Sequence, residues 1–198
     1  FIKNSLTKLH FRSPPCHHGL RDIKGDVLSD DYSLGMYSTD ASFYQIKPLV
    51  VVLPLDEADV KIAVGIANTH KLKILPRGGG TSLAGQTVGD AIVIDFSKYM
   101  NKILEFNEQE RWVKVQPGIV HDELNKEMAK YGLQFAPDPA TSSRANVGGM
   151  VGNNSSGTKS ILYGKTVDHI LEANVLLADG TELQLKEVSQ QEFNQKAQ

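Results

Sequence analysis

The most informative stretch of the chain is Pro76-Arg77-Gly78-Gly79-Gly80-Thr81-Ser82-Leu83-Ala84-Gly85-Gln86-Thr87, which we call the first glycine segment. It places three consecutive glycines beside an arginine. Successive backbone N–H groups in a glycine turn form a concave site for an anion, and an arginine can add charge-assisted hydrogen bonds to a diphosphate. A tight turn between two strands needs only one or two glycines, so the segment favours a phosphate site.

Apolar runs flank this segment on both sides. Residues 49–53 and 91–96 are continuous and rich in β-branched side chains, which is typical of buried strands, and residues 72–76 predict a further strand. Between the runs at 49–53 and 72–76, Asp56 or Asp59 can cap a helix. Its apolar positions have helical spacing: Val60, Ala63, Val64 and Ala67. These elements predict a parallel βαβ unit followed by the first glycine segment.

A second group of elements follows. Residues 103–106 and 112–115 predict a pair of strands, and residues 120–131 predict an amphipathic helix. Two further runs, 171–178 and 181–186, flank Asp179-Gly180 and predict a hairpin. His121 opens the helix and His169 precedes a strand, so we expect surface or capping roles for both.

The stretch from residue 132 to residue 158 has no clear period. Within it, residues 137–157 form the second glycine segment, which ends in Val147-Gly148-Gly149-Met150-Val151-Gly152-Asn153-Asn154-Ser155-Ser156-Gly157. Small residues, amides and hydroxyls dominate this segment. They would let a flat heterocycle approach the backbone closely and find many neutral hydrogen-bond partners. We therefore predict an ordered segment that contacts a ligand.

Other phosphate-binding motifs fit less well. Residues 80–87 approach the P-loop spacing, but Gln86 replaces the lysine, and a strand rather than a helix is predicted next. A Rossmann fingerprint fails because Leu83 stands where its third glycine should be. A P-loop-like nucleotide-binding protein remains a less favoured alternative.

The overall composition excludes several classes of protein. The 198 residues carry a net charge of −2, which gives no general attraction to nucleic acid or anionic lipid. No long apolar run predicts a membrane span, and no basic region leading into an apolar stretch predicts a signal peptide. The lone cysteine, Cys16, favours a reducing compartment. We expect a cytoplasmic protein, free or peripheral to the inner face of the membrane.

Metal binding is not predicted. Cys16-His17-His18 is not followed by the second ligand pair that a zinc site needs, and a single cysteine supplies no ligand set for an iron–sulfur cluster. We expect this part of the chain to form an irregular arm.

Several motifs, in this order, resemble a known family: residues 76–85, Gln116-Pro117-Gly118, Pro137-Asp138-Pro139, residues 147–157 and Tyr163-Gly164. They are similar to the FAD-binding domain of the vanillyl-alcohol oxidase and p-cresol methylhydroxylase (PCMH) superfamily. The greatest similarity is to D-lactate dehydrogenase, the glycolate oxidase flavin subunit and D-2-hydroxyglutarate dehydrogenase. Residues 37–42 also resemble the segment that precedes the first strand in these enzymes.

The resemblance implies an α+β fold of the PCMH type with two subdomains. A small βαβ-containing subdomain would span about 45–100, and a larger subdomain with a mixed or antiparallel sheet would span about 101–186. The FAD-binding domain as a whole would cover 25–186, after an arm at 1–24. Residues 187–198 would lead to a cap domain that the sequence is too short to contain, so we expect a fragment of a longer enzyme.

The resemblance also implies which residues bind FAD. Residues 77–82 would wrap the pyrophosphate, the second glycine segment would line the rest of the cofactor including the ring, and Tyr163-Gly164 would close that side. The implied cofactor residues are Pro76, Arg77, Gly78, Gly79, Gly80, Thr81, Ser82, Leu83, Gly85, Gln86, Pro139, Thr141, Ser142, Asn146, Gly148, Gly149, Gly152, Asn153, Ser155, Gly157, Tyr163 and Gly164.

The mode of FAD attachment is implied by two departures from the family. Relatives that bind FAD covalently carry a histidine where this chain has Thr81, and some carry a cysteine near Ser142. Neither residue present is suited to linking the flavin, so the expectation is non-covalent FAD.

The implied activity is oxidation of a D-2-hydroxy acid, such as D-lactate, glycolate or D-2-hydroxyglutarate, by hydride transfer to FAD. The electrons would pass to a separate acceptor: a quinone, a cytochrome or an iron–sulfur module. No catalytic residue is predicted, because the substrate-binding groups of the family belong to the cap domain. The alternative is an isolated FAD-binding module without turnover.

Overall fold

The computed structural model describes the backbone of residues 15–196 and the side chains of residues 19–195. The side chains of Cys16, His17 and His18, considered above for zinc, lie outside the described residues. The strands are β1 (Asp26–Leu28), β2 (Val50–Leu53), β3 (Ile74–Arg77), β4 (Ile92–Asp95), β5 (Ile103–Asn107), β6 (Trp112–Val115), β7 (Ala173–Leu176) and β8 (Glu182–Leu185).

The α-helices are α1 (Asp31–Met36), α2 (Glu57–His70), α3 (His121–Met128), α4 (Val147–Asn153), α5 (Ser160–Tyr163) and α6 (Gln190–Lys196). Short 3-10 helices cover Pro15–Asp22, Ala129–Tyr131 and Thr166–His169. Within the described residues, none of these helices has the length and apolar character needed to cross a bilayer.

The main sheet has four strands in the order β1-β2-β4-β3. β2 and β3 both run parallel to β4, while β1 pairs antiparallel with β2 at one edge. The predicted βαβ unit therefore has β4 between its two strands. Because the carboxyl end of β3 lies at the same edge as those of β2 and β4, the first glycine segment leaves the sheet where parallel sheets bind ligands.

Helix α2 covers this sheet. It begins at Asp56, whose side chain accepts the backbone N–H groups of Ala58 and Asp59. Asp59 is fully buried, and its carboxylate accepts hydrogen bonds from the backbone N–H groups of residues 24, 25 and 55. Leu20 and Ile23 are buried in the same core as α2. The packed unit therefore begins before residue 25, and residues 20–24 are not a separate arm.

A second core lies around α3. Leu124 and Met128 of this helix are buried together with Ile119 and Val147, and side chains from β5 and β6 pack against them. The helix predicted over 120–131 is an α-helix to Met128 followed by a 3-10 turn, and the chain then reverses at Gly132 with φ of 69°. The predicted β5–β6 pair and the β7–β8 hairpin are both confirmed as antiparallel.

Helix α4 is the main element that periodicity did not predict. It lies inside the stretch 132–158, which has no clear period. Its N-terminus is held by tertiary contacts, because Val147 donates its N–H to the Ile119 carbonyl at 2.9 Å and Gly148 donates to the Pro117 carbonyl at 2.8 Å. Its buried side chains are Val147 and Met150.

Candidate functional site

The two glycine segments meet in the folded chain. A Cβ added to Gly79 would lie 2.2 Å from the carbonyl oxygen of Arg144, and one added to Gly78 would lie 2.6 Å from Oδ1 of Asn146. No larger residue fits at either position without moving one segment away from the other. A second bridge joins the segments further along, where Gln86 donates its amide N–H to Oδ1 of Asn153 at 3.0 Å.

The backbone of the first glycine segment has an unusual hydrogen-bonding state. Among the described residues, none accepts a hydrogen bond from the six consecutive N–H groups of residues 78–83. The segment is kept open by Gly80 and Gly85, whose φ angles of 63° and 71° lie in the left-handed region. A row of unpaired N–H groups at the carboxyl edge of a parallel sheet can bind an anion with several oxygens.

The side chains of this segment have separate partners. Ser82 donates its hydroxyl to Oε1 of Gln86, and the Ser82 oxygen accepts the N–H groups of Ala84 and Gln86. Leu83 is 78% exposed. Thr81 has no hydrogen-bond partner among the described residues, so its hydroxyl is available to a ligand.

Arg77 is engaged with the chain itself. Its guanidinium donates to the carbonyl oxygens of Thr87 at 2.9 Å, Thr39 at 2.9 Å and Tyr37 at 3.4 Å. It also lies over the Tyr37 ring, with its central carbon 5.2 Å from the ring centroid. The expected contact of Arg77 with the pyrophosphate remains a prediction. Its partners Tyr37 and Thr39 lie 40 and 38 residues away in sequence, so no local pattern predicts them.

Residues 37–41, which we call the strap, lie beside the first glycine segment. Asp40 accepts the N–H of Thr87 at 3.4 Å and its hydroxyl at 3.0 Å, and Ala41 donates its N–H to the Gly80 carbonyl at 3.1 Å. The resemblance noted above includes these residues but assigns them no role. The structure places them against the glycine backbone.

A cleft of about 320 Å³ opens between the strap, the glycine backbone and the end of β4. On its wall, Tyr37 donates its hydroxyl to Oδ2 of Asp95 at 2.6 Å, and Oδ1 of Asp95 accepts the N–H of Ser97. Burial, together with the hydrogen bond to Asp95, raises the pKa of Tyr37 above its ordinary value. Tyr37 therefore stays protonated and remains a donor to the carboxylate.

Asn146 joins the two segments and is 3% exposed. Its amide nitrogen donates to the Gly118 carbonyl at 2.5 Å, whereas its Oδ1 is buried and has no hydrogen-bond partner in the described part of the chain. Gly118 is itself confined, since an added Cβ would lie 2.0 Å from the carbonyl oxygen of Phe96. A buried acceptor without a donor costs free energy, which an ordered water can offset.

Helix α4 presents an open surface beside this point. Nothing lies within 4 Å of a Cβ added to Gly149 or Gly152, so these glycines are not required by internal packing. Gly148 differs, because an added Cβ would lie 2.6 Å from the Pro117 side chain. The open positions leave room for a ligand along the exposed face of α4.

The other predicted cofactor residues have partners within the chain. Gly157 packs against Asp138, whose carbonyl oxygen would lie 1.9 Å from an added Cβ. The Ser155 carbonyl accepts from Thr166, the Ser142 carbonyl accepts from Asp122, and the Pro139 and Thr141 carbonyls accept within their own turn. Tyr163 is 46% exposed, and Gly164 turns the chain with φ of 85°. Direct contact of these residues with the cofactor remains a prediction.

The expectation of a surface or capping role for His121 is wrong. The side chain is buried, with Nδ1 at 3.2 Å from Oδ1 of Asp122 and Nε2 at 3.1 Å from the Phe135 carbonyl. Hydrogen bonds from His121 and then Ser142 lower the pKa of Asp122. His121 thus connects α3 to the chain around the second glycine segment. His169 is half-buried, with Nε2 at 2.8 Å from the Tyr163 carbonyl.

A family profile described as "FAD binding domain" matches residues 48–186. The chain belongs to this family. FAD is therefore the cofactor, and the resemblance to the vanillyl-alcohol oxidase and p-cresol methylhydroxylase superfamily is confirmed. The P-loop alternative is not supported, because strand β4, not a helix, follows residues 80–87.

Curated relatives of this FAD binding domain include oxidoreductases of 2-hydroxy acids. D-2-hydroxyglutarate dehydrogenase of Pseudomonas putida is 45% identical over 164 residues, which is 81% of this chain and 16% of that protein. Glycolate oxidase subunit GlcD of Bacillus subtilis is 34% identical over 81% of this chain and 35% of its own length. The mitochondrial D-lactate dehydrogenase (cytochrome) 1 of Saccharomyces cerevisiae is 30% identical over 83% of this chain and 28% of its own. The chain thus spans a minor part of each relative.

Solved structures confirm the predicted α+β fold of the PCMH type. An alkyldihydroxyacetonephosphate synthase matches 98% of this chain and 38% of its own with a TM-score of 0.79 and 22% identity. The 6-hydroxy-D-nicotine oxidase of Arthrobacter nicotinovorans matches 83% of this chain and 36% of its own with a TM-score of 0.72 and 25% identity. The division into subdomains at about residue 100 remains a prediction.

Proposed function

We propose that residues 78–83 bind the diphosphate of FAD through their backbone N–H groups. The observation that carries this proposal is the row of six N–H groups without a partner in the described chain, located where the carboxyl ends of parallel strands meet. A diphosphate offers several negatively charged oxygens, and hydrogen bonds to charged acceptors are stronger than those between neutral groups. The Thr81 hydroxyl adds a donor at the same point.

The neighbouring surface fits the rest of the cofactor. The buried Oδ1 of Asn146 lacks a donor, and the glycines on the open face of α4 let a flat ring system lie against the backbone. In this proposal Asn146 and the exposed positions 149, 152 and 153 hold the part of FAD beyond the diphosphate. No residue suited to covalent attachment stands at Thr81 or Ser142, so the flavin is held non-covalently and is released intact when the protein is denatured.

A titration of the 198-residue chain with FAD tests the diphosphate site. Binding is expected to change the flavin absorbance and fluorescence, and ADP is expected to compete while riboflavin, which lacks the diphosphate, is not. Gly79→Ala should lose at least about tenfold in FAD affinity, because the added methyl group collides with the Arg144 carbonyl. Gly65→Ala is the matched control, since Gly65 is exposed on α2 with open space around it, and it should bind like the unmodified chain. Equal affinity of the two variants would contradict the assignment.

We further propose that the protein acts, as its relatives do by name, in the oxidation of a D-2-hydroxy acid such as D-2-hydroxyglutarate, D-lactate or glycolate. The support is the 45% identity to a D-2-hydroxyglutarate dehydrogenase over 164 residues. When bound, FAD supplies the hydride acceptor, whereas this chain binds and orients the cofactor. A quinone, a cytochrome or an iron–sulfur module would then take the electrons, and the cytoplasmic location suggested by the lone cysteine belongs to the same proposal.

An anaerobic mixing experiment tests the substrate class. The FAD-loaded natural protein, together with any part beyond these residues, is mixed with each D-hydroxy acid and with its L-enantiomer where one exists. Bleaching of the flavin by a D-2-hydroxy acid, and not by the L form, is the expected result. A protein that binds FAD but is reduced by none of these acids would overturn the substrate proposal and favour the alternative, a module that holds FAD without turnover.

A further inference from the structure

The guanidinium of Arg77 lies inside the fold of the first glycine segment. A Cβ added to Gly80 would lie 2.7 Å from one terminal nitrogen of Arg77, so the guanidinium packs against the backbone of Gly80. Among the described residues, its hydrogen-bond partners are three backbone carbonyls, two in the strap and one at Thr87. Arg77 therefore ties the start and the end of the glycine segment to the strap.

The strap makes its own contacts with the same segment. Asp40 holds the backbone N–H and the hydroxyl of Thr87, and the Ala41 N–H holds the Gly80 carbonyl. At its other end, Tyr37 is fixed to the sheet by the hydrogen bond to buried Asp95. The segment is thus held at Gly80 and Thr87, while the N–H groups of residues 78–83 have no partner in the part of the chain that the structure describes.

The chemistry of these contacts distinguishes two roles for the arginine. An arginine that pairs with a diphosphate uses its charge, which lysine keeps although it loses the bidentate geometry. An arginine that joins three carbonyls uses the fixed geometry of its several N–H donors, which a single ammonium group does not reproduce. The partners of Arg77 are of the second kind.

We propose that Arg77 and the strap are a positioning device, which holds the first glycine segment in the shape that binds the cofactor, and that Arg77 does not pair with the diphosphate. This inference rests on the proposed FAD site. The proposal gives residues 37–41 a role in cofactor affinity, which they exert through the glycine segment.

Four variants of the 198-residue chain test this proposal: Arg77→Lys, Arg77→Gln, Asp40→Asn and the double variant Arg77→Lys/Asp40→Asn. Arg77→Lys and Arg77→Gln should lose FAD affinity to the same extent, by about tenfold or more, because each breaks hydrogen bonds of a charged group. Asp40→Asn should lose less. The double variant should lose no more than Arg77→Lys alone, because both changes release the same segment. Arg111→Lys, in the β5–β6 turn, is the matched control and should bind like the unmodified chain.

Two further measurements separate positioning from charge pairing. The dependence of FAD affinity on salt should fall only slightly for Arg77→Gln, because the Arg77 charge lies near the ligand but forms no direct ion pair with it. Hydrogen exchange at the Ala41 and Thr87 amides, measured without FAD, should be faster in Arg77→Lys. The thermal midpoint of each variant shows whether the fold as a whole is retained.

The outcomes are distinct. If Arg77→Lys binds FAD like the unmodified chain while Arg77→Gln loses affinity and salt dependence, Arg77 pairs with the diphosphate and the proposal is wrong. If the unmodified chain does not bind FAD, the proposed function fails. The amide exchange at Ala41 and Thr87 still tests the strap in that case, and unchanged protection in Arg77→Lys would overturn the positioning role.

Discussion

The two glycine segments have similar compositions but different physical states. In the first, Gly80 and Gly85 adopt left-handed φ angles, and six consecutive N–H groups have no partner in the described chain. In the second, residues 147–153 form helix α4, and most backbone groups are used within the chain. Glycine allows a row of donors without partners among the described residues in the first segment, whereas in the second it allows close packing at Gly157 and leaves an open helix face at Gly149 and Gly152. The same residue type therefore indicates two kinds of contact, and substitutions can distinguish them.

The largest effect on stability is expected at Gly157, where glycine serves packing. Gly157→Ala should lower the free energy of unfolding by about 3 kcal/mol, because the added methyl group would meet the Asp138 backbone, which cannot move aside easily. Chemical denaturation without FAD measures this change. Gly152→Ala is the control in the same segment, since nothing lies near its added methyl group. A Gly157→Ala chain as stable as this control would show that the close approach is not structural.

A smaller effect on stability, of opposite sign, is expected at Gly149, on the open face of α4. Without FAD, Gly149→Ala should raise the free energy of unfolding by up to about 1 kcal/mol, because alanine is the better helix former. With FAD, the methyl group occupies space that the cofactor needs, and affinity should fall by about tenfold. Paired denaturation and flavin titration measure both quantities. Unchanged FAD affinity would show that this face of α4 does not contact the cofactor.

The smallest effect concerns Asp122, beside the second segment. Because hydrogen bonds from His121 and Ser142 hold the pKa of Asp122 below its ordinary value of 3.8, its stabilising contribution is present above pH 3.8 and is lost as the pH falls through the lowered pKa. The carboxylate side chain is 52% exposed, so solvent limits the effect to about 0.5 kcal/mol. The free energy of unfolding of Asp122→Asn should therefore depend slightly less steeply on pH below pH 3.8. An unchanged acid profile would show that folding does not lower the pKa of Asp122.

The sequence predicts well those elements that depend on local patterns. Strands β2 and β4 are continuous β-branched runs, α2 has a capping Asp56, and the β7–β8 hairpin has Asp179-Gly180 at its turn. Helix α4 could not be predicted in this way, because three of its seven residues are glycines and its start depends on the carbonyls of Ile119 and Pro117. Tertiary contacts outweigh its weak helix propensity.

The candidate site likewise combines features that the local sequence reveals with features that depend on distant contacts. The glycines and their order are sequence features, and they identify the FAD family. The partners of Arg77 in the strap lie 38 and 40 residues away in sequence, so no local pattern reveals them. The burial of His121 likewise depends on Phe135, 14 residues further on. Long-range hydrogen bonds are therefore the part of the site that only the folded chain reveals.

The most direct test of the account is an amide NMR titration of the 198-residue chain with ADP, followed by FAD. If residues 78–83 bind the diphosphate, their six amide signals shift together on addition of ADP, with one common affinity, and FAD displaces ADP from the same site. The amides of Ala41 and Thr87, which already have partners within the chain, shift less. Binding of FAD that leaves the amides of residues 78–83 unchanged would contradict the account.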